Sequence, residues 1–374
     1  MGTPLTRIRA FATVGVVAAV AAVIADPGSA RSAAAQDWPP FVLVIGLLLT
    51  GLVADRDGVF AVVGSFLARH ARRGWVMYAG AVVVIAAVTA VLNLDTSVAF
   101  LTPLLVYTAR RRGGGEAPLL YGCLLLSNAA SLLLPGSNLT NLIVLGHLHL
   151  SGHRFFVRMA PAWAVAVVVT AAVVAVMERR ALRAPAGNGS SPPTARASIA
   201  MIAIVADVVL VVVLHNPALP VLGVGIAVAA VHLLQRRITP NHVLDTVGPA
   251  SLIGLFGVAL ALGTLGRDWS GPAQALTHLD RWSTAFAAAG LTVLVNNLPA
   301  ASLLAARVPH HPFALLVGLN LGPNLFVTGS LAWLIWLRSA RTAGAQPSIA
   351  RATRLGLVAA PLSIAAAVAV LSVS

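Results

Sequence analysis

The sequence is short of charge. Only 10% of its 374 residues are Asp, Glu, Lys or Arg, against about 25% in a soluble domain. The shortfall is uneven, because apolar blocks of bilayer-spanning length recur from Phe11 to Val373. A crossing takes about 20 mostly apolar residues, which leaves room for about ten crossings. Period-two alternation is missing, which excludes an outer-membrane barrel. Cys123 is the only cysteine, so no intramolecular disulfide and no thiolate cluster can form. That excludes chelation of a soft metalloid by several thiolates of one chain; a lone cysteine in an apolar helix reads as small packing volume. No nucleotide-binding loop is present, so ATP-driven pumping needs a separate subunit. Neither half offers a catalytic dyad, and no enzyme is expected.

What charge remains is basic, with a net +14. The arginines sit in short loops between apolar blocks rather than along one solvated face. Nucleic acid is therefore excluded as a partner, and the loops report membrane orientation instead. The expectation is an all-α, multi-pass protein of a bacterial inner membrane, surrounded by lipid.

Residues 1–37 carry Arg7 and Arg9, an apolar stretch from Phe11 to Ala25, then small residues. This pattern fits a first helix, with a cleaved signal peptide as the alternative. From Trp38 the order is clearer. A helix from about Phe41 to Ala54 leads to Asp55-Arg56-Asp57, then an amphipathic stretch ending in Arg69 to Arg73. Two apolar blocks follow, Trp75 to Leu92 and Val98 to Ala109, separated by Asn93 to Ser97 and closed by Arg110-Arg111-Arg112. Basic clusters at both ends make this pair a re-entrant hairpin with its tip inside the membrane. The segment Leu119 to Leu150 is interrupted by Pro135-Gly136-Ser137-Asn138, where proline removes a helix hydrogen bond and glycine frees the backbone. It reads as one spanning helix broken into halves. A helix from Pro161 to Met177 ends the first unit, residues 38–177.

Residues 178–242 hold a Pro/Gly/Ser-rich basic linker and two helices, Ile199 to Leu214 and Leu219 to Leu234. The pattern then restarts over residues 243–374: a helix Val243 to Leu265, Gly266-Arg267-Asp268, an amphipathic stretch Pro272 to Leu279, and a hairpin Trp282 to Val308 with Asn296-Asn297-Leu298-Pro299 at its tip. A broken helix Phe313 to Leu337, interrupted at Asn320 to Asn324, and a last helix Leu355 to Val373 complete it. Shifted by 192 positions, Asn128 falls on Asn320 and Leu142-Ile143 on Leu334-Ile335. The order of elements repeats. Counting crossings puts the two hairpin mouths on opposite sides and the main basic loops in the cytoplasm, so the halves are inverted.

Irregular backbone at membrane depth is tolerated where it lines a cavity or is buried in protein. Two hairpin tips and two helix breaks, all rich in Asn, Ser, Thr, Gly and Pro, therefore point to a transport site near the midplane. Half-helix N-termini suit an anion or an oxygen-rich neutral solute. The candidate substrate- or ion-binding residues are Asn93, Asp95, Thr96 and Ser97; Ser137, Asn138, Thr140 and Asn141; Asn296 and Asn297; and Asn320, Gly322, Asn324, Thr328 and Ser330. Asp95 is the carboxylate deep in the first half, and an ionisable residue there is functional by default; it would carry a coupling proton or help hold Na⁺. Asp207 is a second intramembrane carboxylate, outside the repeated core. His147, His149, His153 and the His310-His311 pair approach membrane surfaces and read as interfacial, so no metal site is assigned.

These residues carry a resemblance. Leu94-Asp95-Thr96-Ser97 leading into Leu101-Thr102-Pro103 resembles the first hairpin of the arsenite-efflux permeases, the membrane subunits of arsenical pumps. Ser137-Asn138-Leu139-Thr140-Asn141-Leu142 is similar to their first helix break, and Asn296-Asn297-Leu298-Pro299 to their second hairpin tip. Leu321-Gly322-Pro323-Asn324 with Gly329-Ser330-Leu331-Ala332 resembles their second break. The resemblance runs from about residue 40 to the C-terminus and extends to the wider ion transporter superfamily. It implies a homodimer working by an elevator-like displacement. It also implies export of arsenite and antimonite as neutral hydroxides, coupled to protons or driven with an ATPase subunit. No cofactor is expected beyond a coupling H⁺ or Na⁺. Two departures matter. The family often has Asp before Leu-Gly-Pro, where this chain has Asn320, and Thr-Pro-Ile-Gly-Ser where it has Phe326 to Ser330. A Na⁺-coupled carrier of dicarboxylates or citrate, and a cation/proton antiporter using Asp95, stand as alternatives.

Overall fold

The computed structural model describes residues 4–70, 73–111, 115–146, 148, 150–183, 198–214, 216–269 and 271–372. Among these residues the chain is helical, with no strand. His147, His149, Arg72, Arg112 and linker positions 184–197 lie outside them.

Helices α1 (Pro4–Ala25) and α2 (Pro27–Arg56) meet at Asp26. The Asp26 carboxylate accepts from Gly28 N at 2.8 Å and Ser29 N at 3.0 Å, and Pro27 takes the first helical position, where its missing N–H does no harm. The helix expected from about Phe41 thus starts at Pro27, and the boundary expected at residue 38 falls inside it. Pro39 and Pro40 lie within α2 without ending it, because neighbouring helices shelter the freed groups. A short α3 (Val59–His70) leads to the first hairpin, α4 (Gly74–Val91) and α5 (Leu94–Arg111). The first broken helix is α6 (Ala117–Ala130), a 3-10 turn Pro135–Ser137 and α7 (Leu139–Leu145), followed by α8 (Gly152–Met177).

The connecting elements are α9 (Arg179–Leu182), α10 (Ile199–Val213), α11 (Ala218–Leu234) and α12 (Pro240–Val247). Gly248, at φ +58°, and Pro249 separate α12 from α13 (Pro249–Asp268), so the helix expected as one piece from Val243 is kinked at its start. A short α14 (Gly271–Thr277), the second hairpin α15 (Arg281–Val295) and α16 (Asn297–Leu304), the second broken helix α17 (Pro312–Leu321) and α18 (Leu331–Thr342), and α19 (Ile349–Leu371) complete the chain. The order long helix, short helix, hairpin, broken helix, helix thus occurs twice. Among the described residues, five helical stretches are long and apolar enough to span a bilayer, and five shorter apolar helices join them.

Packing crosses between the two sets of elements. The second hairpin arm of each lies against the far half of the other's broken helix, α5 on α18 and α16 on α7, while α8 lies against α19. Small residues allow close approach, as in other membrane bundles: a methyl at Gly15 of α1 would fall 2.4 Å from the Gly254 carbonyl of α13. The buried core includes Trp333 and Trp336, whose indole N–H groups donate to Pro323 O and Leu120 O, each at 2.8 Å. At one end of the bundle Arg110 pairs with Glu116 at 2.7 Å and donates to Ala343 O, while Arg351 pairs with Glu178. Asp57, after α2, accepts from Ser198 Oγ at 2.5 Å and lies 2.8 Å from His232 Nε2, which fastens α10 and α11 to α2.

Candidate functional site

Each hairpin turns on a single asparagine. Asn93 has φ +137° and Asn296 φ +76°, a left-handed backbone that few residues other than Gly and Asn accept. Each side-chain oxygen then caps the following arm: Asn93 Oδ1 accepts from Thr96 N at 2.8 Å, and Asn296 Oδ1 from Leu298 N at 3.3 Å. The expected four- and five-residue tips are therefore tighter, with α5 starting at Leu94 and α16 at Asn297. A hydroxyl from each helix break fastens to the first arm of its own hairpin, three residues before the turning asparagine. Ser137 Oγ donates to Ala90 O at 2.8 Å, and Thr328 Oγ1 to Val293 O at 2.5 Å.

Between the breaks lies a buried amide network. Asn320 Oδ1 accepts from Ser131 Oγ at 2.8 Å, Asn138 Nδ2 at 2.5 Å and Thr140 Oγ1 at 3.4 Å. Asn320 Nδ2 donates to Asn141 Oδ1 and Leu316 O, both at 2.9 Å. The orientation follows from the partners. Asn141 Nδ2 is committed to Ser131 O and Leu134 O, so its oxygen faces Asn320, and a backbone carbonyl can only accept. One edge of residue 320 thus meets donors and the other meets acceptors, which suits an amide and not a carboxylate. Beside it, Asn128 Nδ2 donates to Asn324 Oδ1 at 2.9 Å, and Asn324 Nδ2 to Leu125 O at 3.1 Å. Both breaks are longer than the interrupted motifs indicated, because Ser131 leaves the helix in the first and residues 326–330 stay non-helical in the second.

The expected site residues fall into three groups. Ser137, Asn138, Thr140, Asn141, Asn320 and Asn324 are all buried at the breaks. Asn93, Asp95, Thr96 and Ser97 form the first tip, where Ser97 accepts from Thr89 and lies 3.3 Å from Ser127 Oγ. Asp95 is buried in the first turn of α5, with no hydrogen bond or ion pair among the described residues. Asn296, Asn297, Thr328 and Ser330 form the second tip, joined to its break by Asn297 N donating to Gly329 O at 2.8 Å. Gly322 does not face this network; a methyl there would strike Ala289 Cα at 2.5 Å, so the residue serves the approach of α17 to α15. Asp207 is buried on α10 with Thr50 of α2 as its polar neighbour; one turn further on, Val211 of α10 packs against Gly136 of the first break.

Four buried side-chain atoms of this region have no hydrogen-bond partner among the described residues: Asn93 Nδ2, Thr96 Oγ1, Asn128 Oδ1 and Ser330 Oγ. Such atoms are costly when left alone and are natural contacts for a polar ligand. Sequence reasoning missed Asn128 and Ser131 as site residues. Their spacing of three in an otherwise apolar helix was the signal, since it puts both on one face. It also missed Asp37 of α2, buried and accepting from Ser302 Oγ of α16 at 3.0 Å.

Discontinuous helices and re-entrant hairpins meeting at a buried polar centre, inside a bundle of apolar helices, define a multi-pass membrane transporter. The chain belongs to the CitMHS family, described as citrate transporter, whose profile matches residues 4–336. It is 24% identical over 367 residues to the arsenical pump membrane protein of Escherichia coli (strain K12), covering 87% of this chain and 84% of that one. It is also 24% identical over 336 residues to the protein of that name from Yersinia enterocolitica, covering 80% and 78%. Among solved structures, the Alcanivorax borkumensis YdaH transporter, reported with an unusual topology, matches at a TM-score of 0.51 and 15% identity, over 92% of this chain and 87% of that chain. That likeness concerns the fold alone.

Proposed function

We propose that the protein is a secondary carrier that exports arsenite, antimonite or a similar small oxo-species. The observation that carries this reading is the neutral lining of the centre. Its hydrogen-bonding groups are amides and hydroxyls of Asn128, Ser131, Asn138, Thr140, Asn141, Asn320 and Asn324, with no cation among their partners in the described residues. A buried polyanion without a counter-charge is disfavoured, whereas a neutral trihydroxide both donates and accepts and can satisfy orphaned amide and hydroxyl groups. The single Cys123 is buried, with Thr102 Oγ1 at 3.4 Å from its sulfur, so a metalloid would be held by exchangeable hydrogen bonds rather than trapped by thiolates. The names of the relatives from Escherichia coli and Yersinia enterocolitica agree with this reading.

The twofold order of elements and the crossed packing of α5 on α18 and α16 on α7 support an inverted pair of repeats, residues 38–177 and 243–374, with a transport part displaced like an elevator against a scaffold part. Asp95 is the carboxylate available at the first tip for coupling to H⁺ or Na⁺. A homodimer and an ATPase subunit are the partners that the arsenical-pump resemblance supplies.

A second reading, a Na⁺-coupled carrier of citrate-like anions, is favoured by the family description. The two separate in an export-deficient bacterial host. Arsenite tolerance with lowered intracellular arsenic, lost in Asp95→Asn, supports efflux; citrate accumulation without any change in arsenic, from a protein folded in the membrane, supports the second reading.

A further inference from the structure

We propose that a cleft at the opposite end of the bundle from the Arg110–Glu116 pair binds an anionic phosphate group, carried by a phospholipid or free in solution. The cleft, of about 580 Å³, lies where α8, α15, α17 and α19 come together, and Arg158, Arg281, His310, His311 and Phe313 line it. It lies at the start of α17, the end away from the second break, at the N-terminal end of α8 and the C-terminal end of α19, whereas Glu178 and Arg351 mark the other ends of those helices.

Three features make it an anion site. Positive charge is in excess: among the described residues, neither arginine nor either histidine has a carboxylate ion-pair partner. One carboxylate, Asp280, offsets part of it at His311 while capping α15, accepting from Ser283 N at 2.8 Å. The cations are also held in place. The Arg158 guanidinium sits 5.6 Å from the Phe313 ring centroid, and Arg281 Nη1 donates to Leu371 O at 3.4 Å. Lastly, α17 begins at His311 without a side-chain cap, which leaves its first N–H groups, next to Phe313 and Ala314 of the cleft wall, open to an acceptor.

Burial and the positive charges of His310 and Arg281 hold the His311 ring below the ordinary proton affinity of histidine, with Asp280 opposing them. His310 Nδ1 and His311 Nε2 are 3.3 Å apart, so the two rings cannot both carry a proton on the facing nitrogens. A bound anion relieves that repulsion. Guanidinium forks and free helix N–H groups together match phosphate oxygens. Val157, more than half exposed on α8, gives the cleft an apolar flank continuous with the lipid-facing surface, as a headgroup site between helices requires.

The test uses the purified full-length protein. Inorganic phosphate is titrated against thermal unfolding, and retention of phosphatidylglycerol against phosphatidylcholine is read by native mass spectrometry. Arg158→Gln/Arg281→Gln is expected to weaken whichever interaction is present by about tenfold or more, the loss of charge-assisted contacts. Arg341→Gln, at the other end, leaves it unchanged. Stabilisation by phosphate identifies a free-anion site, and selective retention of phosphatidylglycerol identifies a headgroup site. If the arginine variant fails to fold, His310→Gln/His311→Gln serves, read with sulfate or phosphatidylglycerol, whose charge is constant over the range: wild-type binding strengthens as pH falls from 8 to 5.5 and the variant's does not. No binding of either probe by wild type, or binding indifferent to the substitutions, overturns the proposal.

Discussion

Replacing Asn320 with leucine, of nearly the same size, tests whether the two helix breaks form one hydrogen-bonded unit. Asn320 makes five side-chain hydrogen bonds, to Ser131, Asn138, Thr140, Asn141 and Leu316. Not all of these partners are stranded by the change. The Ser131 hydroxyl still reaches Asn128 O, and the Leu316 carbonyl keeps its helix partner. Asn141 Oδ1, the Thr140 hydroxyl and one N–H of Asn138 are left buried and alone. At about 1–3 kcal/mol for each orphaned group, the loss is about 3–9 kcal/mol. Asn320→Asp keeps the three donors on one oxygen but sets the other against Asn141 Oδ1 and Leu316 O, so it also destabilises. The assay is unfolding of the purified protein in detergent, followed by heating curves and confirmed by denaturant titration. Wild-type stability in Asn320→Leu would show that the amide network is not what joins the breaks.

Other outcomes follow from neighbouring geometry. Asn138→Ala removes the cap of α7, worth about 0.5–2 kcal/mol, together with the 2.5 Å contact to Asn320; it and Asn324→Ala should both weaken substrate binding, measured by equilibrium dialysis. Gly356→Ala should destabilise by about 1–3 kcal/mol through overpacking, because its methyl would meet the Asn324 carbonyl at 1.7 Å; an unfolding midpoint equal to wild type would contradict this. Burial works against ionisation of Asp57, but hydrogen bonds from Ser198 and His232 outweigh it and hold its carboxyl below 3.8. That anchor of α10 and α11 is therefore present above about pH 4 and lost as pH falls further; hydrogen exchange in α10 should rise in that acid window and not between pH 6 and 8.

The hairpins and broken helices were legible because polar motifs interrupt apolar runs at matching places, and a bilayer allows such interruptions only for a reason. The turning roles of Asn93 and Asn296 were less so, since left-handed backbone at one residue leaves no periodic trace. The start of α2 was set at about Phe41, yet the helix runs through Pro39 and Pro40; the capping pair Asp26-Pro27 upstream was the stronger signal. Asn128, noticed only for its alignment with Asn320, and Ser131 were not assigned to the site because they lie where no motif breaks the sequence, and their partners Asn324 and Asn320 are nearly 200 positions away. Asn320 itself looked like a lost carboxylate. Its surroundings explain the amide, because a site that presents donors on one edge and acceptors on the other has no place for a second negative oxygen.

The most direct measurement is uptake into proteoliposomes containing the purified protein, with arsenite and citrate compared as substrates under imposed H⁺ and Na⁺ gradients, for wild type and Asn128→Ala. The account predicts gradient-dependent movement of arsenite, no movement of citrate, and loss of arsenite transport when the orphaned Asn128 oxygen is removed. Citrate transport with arsenite excluded would contradict it, and would mean that the half-helix N-termini alone suffice to hold a polyanion at this neutral centre.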